Sequence, residues 1–256
     1  RRAGRELHAR QQRRGGAAAR QGVDVGVAEV GAVVHGRQPE LWNPLTGERL
    51  DATSFRQENG RTILPISLDP HGSVFVIFRK AIPALAKGSA PDNEVHLTEA
   101  ARVAGPWNVA FDPAWGGPAS IRFDALEDWT KHADEGIRSY SGTATYQTTF
   151  SKPAGDGPFL LDLGNLAEMA TVRINGKDLD RVVWTPPYRI KLPADLKATG
   201  NQLEIRVANT WWNRLLADQA LPKEKRLTRT NVTPKPGGKP LPSGLFGPVT
   251  IRTAVP

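Results

Sequence analysis

The stretch that decides the fold is NQLEIRVAN, Asn201 to Asn209. Leu203, Ile205 and Val207 alternate with Glu204 and Arg206. A period of two places the apolar set on one face of a strand and the charged set on the other. The same pattern recurs on both sides. In TATYQTTF (143–150), Ala144, Tyr146, Thr148 and Phe150 share a face. In ATVRING (170–176), Ala170, Val172 and Ile174 oppose Thr171 and Arg173, and Asn175-Gly176 is a hairpin turn signal. GPVTIRT (247–253) supplies a last strand. Only FDALEDWTKHADEG (123–136) suggests a short helix or helical turn. Many short strands without alternating helices predict an all-β protein, a β-sandwich or jelly roll, over residues 101–256.

Upstream, PELWNPLTGERLDA (39–52) reads as strand, turn and strand, and Asn59-Gly60 marks another hairpin. In TILPISL (62–68), Pro65 points to an edge or a bulge. SVFVIF (73–78) is apolar after Ser73, as in a strand buried on both faces. Residues 36–80 are too few to fold alone and read as the C-terminal part of a β-sandwich. Residues 81–100 mix Pro, Ala, Gly and charge, the composition of a linker. Residues 1–35 are poorly patterned and read as a disordered tail or as a mis-translated segment.

The formal charge of +8 invites a nucleic-acid reading, but residues 1–20 alone, with seven Arg and one Glu, carry +6 of it. A binding face recurs on the folded part with aromatic or polar readers, so no nucleic-acid partner is expected. Apolar runs are too short for a membrane span. The absence of cysteine excludes disulfides and thiolate metal sites. The five His show no ligand spacing, so neither metal nor cofactor is expected. No P-loop, dinucleotide fingerprint or nucleophile triad is present.

Aromatics suggest binding. WTPPYR (184–189) is a stiff turn that can present Trp184 and Tyr188, because two prolines fix φ. DPAWGG (112–117) sets Trp115 before two glycines. NTWWNRLLAD (209–218) places two tryptophans among amide and charged groups. If the strand continues, Trp211 points inward and Trp212 outward. Sugars pack C–H faces on aromatic rings and give hydroxyls to amides, Arg and Asp. The sugar-facing set is therefore Asn209, Trp212, Asn213, Arg214 and Asp218, with Trp184 and Tyr188 second. Core packing is the competing reading for each ring.

The run from Leu160 to Asp218, with LDLG, ATVRING, WTPPY and GNQLEIRVAN in order, resembles the sugar-binding jelly roll of glycoside hydrolase family 2, which is galactose-binding-like. GPWNVAFDPAWGGP (105–118), FDALEDWT (123–130) and YSGTATY (140–146), with PELWNPLTGE and GSVFVIF upstream, resemble the C-terminal region of family 106 α-L-rhamnosidases. The resemblance covers about residues 37–256. It implies a carbohydrate-binding accessory part of a glycoside hydrolase acting on rhamnosyl or related glycans. It also implies a partner, the catalytic barrel of the same polypeptide, and a periplasmic or extracellular site for the intact protein. In that family the catalytic carboxylates lie in the barrel, so no catalytic residue is assigned here and the fragment alone is expected to be inactive. The alternatives are a stand-alone carbohydrate-binding module and a structural spacer. The resemblance further implies that the loop Asn231–Pro248 approaches the Trp211–Asp218 segment.

Overall fold

The computed structural model describes residues 26–69, 72–235 and 237–255. The chain divides into two compact units, residues 1–95 and 96–256.

Among the described residues of unit 1, six strands run in order: β1 (Gly26–Ala32), β2 (Arg37–Trp42), β3 (Arg49–Asp51), β4 (Arg56–Glu58), β5 (Arg61–Leu68) and β6 (Phe75–Ala81). They form two antiparallel sheets, β1-β5-β4 and β3-β2-β6. Leu64, Ile66, Ala52 and Phe55 make the core, with Val30, Leu41 and Val76 packed on it.

Three sequence expectations change here. The stretch 1–35 contains β1, which pairs with β5 from Gly26 to Ala32; residues 1–25 lie outside the described residues. The alternation in GVAEVGA is weak because its residues are small, so pairing rather than pattern creates this strand. Pro65 sits in the middle strand of its sheet, but β4 ends opposite Ile63. Beyond that end the Pro65 carbonyl accepts from Asn93 Nδ2 at 2.9 Å, so a proline is tolerated. Finally, β6 is an edge strand and is not buried on both faces; Phe75 is exposed.

The expected linker 81–100 is divided. Asn93 Oδ1 accepts from Thr53 N and Ser54 N, both at 2.8 Å, and Gly88 N donates to Phe55 O, which clamps this part onto unit 1. Leu97–Arg102 is already a strand of unit 2.

Unit 2 has twelve strands among the described residues: β7 (Leu97–Arg102), β8 (Trp107–Ala110), β9 (Ile121–Phe123), β10 (Thr143–Phe150), β11 (Phe159–Asp162), β12 (Asn165–Ala167), β13 (Met169–Ile174), β14 (Lys177–Asp178), β15 (Arg189–Lys191), β16 (Asn201–Ala208), β17 (Gly244–Gly247) and β18 (Thr250–Ala254). A six-stranded sheet, β14-β13-β16-β10-β8-β9, and a four-stranded sheet, β15-β11-β18-β7, enclose one core; β12 and β17 pair separately. All the named ladders are antiparallel, and the fold is a β-sandwich, as the alternation requires. Leu203, Ile205 and Val207 are buried, as are Ala144, Tyr146, Ala170, Val172 and Ile174. Asn175 (φ 51°) and Gly176 (φ 80°) turn β13 into β14 as the hairpin signal predicts. The helical hint is realised as a 3-10 turn, Trp129–Lys131, and a one-turn helix α1 (Glu135–Arg138), capped by Asp128 and Asp134. A longer helix, α2 (Trp212–Gln219), follows β16.

Candidate functional site

One end of the six-stranded sheet gathers most of the residues singled out above. Thr143 and Met169 both lie opposite Ala208, the last residue of β16. The 112–116 turn follows Ala110, which pairs with Thr145. Val183 bridges Ala170, which brings Trp184 level with Met169. Met169 and Trp184 are both exposed there, because their buried neighbours Ala170 and Val183 take the inward face.

The strand does not continue through the double tryptophan. It ends at Ala208, and Asn209 turns the chain by donating from its backbone to Gly142 O at 3.2 Å. Trp211 is already in the right-handed helical region and precedes the first residue of α2. Side chains now follow a period of 3.6, so the inward assignment of Trp211 fails. Trp211 is 43% exposed and meets Trp115 edge-to-face at a centroid distance of 4.6 Å. Trp212 is half-buried, and its Nε1 donates to Lys239 O at 2.8 Å.

The polar members of the expected set face inward. Asn209 Oδ1 accepts from Gly142 N (2.9 Å), while Nδ2 donates to Tyr140 O (2.9 Å) and Ser243 Oγ (3.0 Å). Asn213 is buried: Nδ2 donates to Leu241 O (2.8 Å) and Ser243 Oγ (3.0 Å), and Oδ1 accepts from Leu241 N (2.8 Å). Arg214 and Asp218, four apart on α2, form a buried ion pair with Nε 3.0 Å from Oδ1, close but without the alignment of a hydrogen bond. Arg214 Nη1 also donates to Ser139 Oγ at 3.1 Å. Asp218 Oδ2 accepts from Thr228 N (2.7 Å) and Thr228 Oγ1 (2.6 Å), and Oδ1 accepts from Leu227 N (3.3 Å). Burial pushes the Asp218 carboxyl up, but the Thr228 and Leu227 hydrogen bonds and the Arg214 charge outweigh it and hold the group below its ordinary value. These groups thus use their hydrogen bonds within the chain. They tie the 221–228 and 239–243 segments to α2, and the 231–248 loop does approach Trp211–Asp218.

Tyr188 is half-buried on the core; burial and the nearby Glu168 charge push its phenol up. Trp184 is 59% exposed. Three further carboxylates next to aromatic residues in the chain have local partners. Asp112 and Asp128 cap their turns, and Asp124 pairs with Arg122 at 2.9 Å. Among the described residues no group of three His, Asp or Glu could hold a metal ion, and no helix is long and apolar enough to cross a membrane.

The far flank of α2 borders a groove of about 560 Å³, lined by Thr130, Glu135, Arg138, Asn213, Leu216 and Gln219 among others. That volume suits a small ligand. Sequence reasoning missed this groove and the Trp115–Trp211 pair. The available signal was helical: RLLA (214–217) is built from good helix formers, and Arg214 and Asp218 stand at i and i+4.

Over 92% of its length the chain is similar to 24% of the solved chain of a rhamnosidase from Novosphingobium sp. PP1Y, at 34% identity and a TM-score of 0.75. The chain thus resembles part of a rhamnosidase. A protein of Formosa agariphila described as "Putative beta-glucuronidase" is 40% identical over 124 residues, 47% of this chain and 11% of that protein. No protein-family model matches. The resemblance to the C-terminal part of a glycoside hydrolase holds, and the chain spans only a minor share of either relative.

Proposed function

We propose that this chain is an accessory region of a rhamnosidase-like glycoside hydrolase, and that unit 2 offers carbohydrate the end of the sandwich bearing Trp184, Trp211 and Trp115. One observation carries the reading. Two tryptophans, Trp184 and Trp211, remain solvent-exposed at the same sheet end while the core aromatics Trp107, Trp129, Tyr140 and Tyr146 are buried. Exposed rings on a stiff frame suit the C–H faces of rhamnosyl or related sugars. Trp212 and Tyr188 are half-buried in the segments that carry Trp211 and Trp184. Asn209, Asn213, Arg214 and Asp218 tie the 139–142, 227–228 and 241–243 segments to the start and body of α2. The catalytic carboxylates belong to a barrel elsewhere in a longer polypeptide, and the intact protein works in the periplasm or outside the cell. The burial of Asn213, Arg214 and Asp218 favours a second reading, a structural spacer.

Calorimetric titration with a rhamnose-terminated oligosaccharide separates the two. Trp184→Ala and Trp211→Ala should each weaken binding about five- to tenfold, roughly the 1 kcal/mol of one aromatic contact. The Phe variants should retain most of the affinity. No binding at millimolar sugar, or alanine variants that bind like the parent, leaves the spacer reading standing.

A further inference from the structure

The outward face of β3-β2-β6 in unit 1 carries a cluster that the carbohydrate reading of unit 2 does not use. Leu41 and Val76 pack toward the core, so Glu40 and Trp42 point the other way. Trp42 lies opposite Arg49 on one side and Phe75 on the other. Its indole is pinned, because Nε1 donates to Glu40 Oε2 at 3.0 Å. Glu40, only 2% exposed, also accepts from Arg79, with Nη2 2.7 Å from Oε2. The Arg79 hydrogen bonds hold the Glu40 carboxyl below its ordinary value against the opposing effect of burial, so it is charged at neutral pH.

Two guanidiniums border the ring. Arg79 Cζ is 4.9 Å and Arg49 Cζ 4.2 Å from its centroid. Glu40 neutralises Arg79, and Asp51 neutralises Lys80 at 2.8 Å. Among the described residues no carboxylate pairs with Arg49. Phe75, on the other side of Trp42, is 59% exposed. The face thus combines a fixed apolar surface with one unneutralised fork of N–H donors, which fits the oxygens of a carboxylate or sulfate.

We infer that this face of unit 1 binds an acidic polysaccharide, with Arg49 on its carboxylate or sulfate groups and Trp42 and Phe75 against its sugar rings. The inference does not rest on the reading of unit 2, whose tryptophan variants leave this face unchanged. The test is retention of the full chain in gels containing polygalacturonate, dextran sulfate or neutral dextran. Polygalacturonate and dextran sulfate distinguish carboxylate from sulfate. The parent chain should be retarded by at least one of them and not by neutral dextran. Arg49→Glu should weaken that binding at least tenfold and Phe75→Ala several-fold. Arg122→Glu makes the same charge change on the exposed surface of unit 2 and should alter it less than twofold. Equal losses for Arg49→Glu and Arg122→Glu overturn the inference, because net charge and the Arg-rich residues 1–20 then explain retention. No retention by either acidic polymer, equal retention by neutral dextran, or a dimer in sedimentation that Phe75→Ala disperses overturns it as well.

Discussion

Trp129→Ala is expected to lower the stability of unit 2 by about 4 kcal/mol, the range for emptying a buried aromatic site. Trp129 is wholly buried and sits edge-on to Phe111 (5.3 Å) and Tyr140 (5.6 Å). Its Nε1 donates to the buried Tyr146 hydroxyl. Burial pushes that phenol up to a value far above its ordinary range, so it stays a neutral partner for the indole and for Leu245 N at 3.2 Å. Gly244 (φ +106°) lies flat on the same ring; a Cβ there would stand 2.4 Å from Nε1. Alanine therefore opens a cavity, leaves Tyr146 without one partner and releases the strand that follows the 239–243 segment. A urea titration read by near-ultraviolet circular dichroism measures the loss. Trp129→Phe should recover about half of it by refilling volume without the N–H. A loss under about 1 kcal/mol for the alanine variant would contradict this account of the core.

Asp218→Ala comes second, at about 3 kcal/mol, because it strands the buried guanidinium of Arg214 and removes the acceptor of three donors. The midpoint of thermal unfolding should fall by roughly 10 °C for a unit of this size. The same carboxylate gives a pH signature. Its pKa is depressed in the folded state, so the stability it contributes is present above the unfolded value of about 3.9 and is lost as pH falls through the lower folded value. Asp218→Asn should flatten the fall of stability with pH below about 4 relative to the parent. An unchanged acid limb would show that other carboxylates govern it. Loss of this anchor should also free residues 227–228 and shift the surroundings of Trp115, since Leu227 packs near Gly116.

The β-sandwich was legible in the sequence because a half-buried strand must alternate. Leu203, Ile205 and Val207 have one interior to face, and each hairpin with Asn-Gly has one favoured turn. The order of motifs was legible too, and it leads to the rhamnosidase relative. Local pattern failed where partners are distant in the chain. β1 is made of small residues and exists because β5 accepts it, so composition alone called it a tail. Val74 to Phe78 looks doubly buried, yet β6 lies at an edge and shows Phe75 to solvent. In NTWWNRLLAD, alternation could not reveal that the strand stops at Ala208, because the stop is set by Gly142 and Tyr140, nearly seventy residues upstream. That stop reverses the expected roles: Trp211 is exposed, while Asn213, Arg214 and Asp218 turn inward as the brace of the loops. Sequence alone thus determined the strands whose residues alternate, such as β10, β13 and β16, and which residue types gather near one end. Tertiary structure alone decided which of those side chains meet solvent, because burial depends on what another segment of chain places over them.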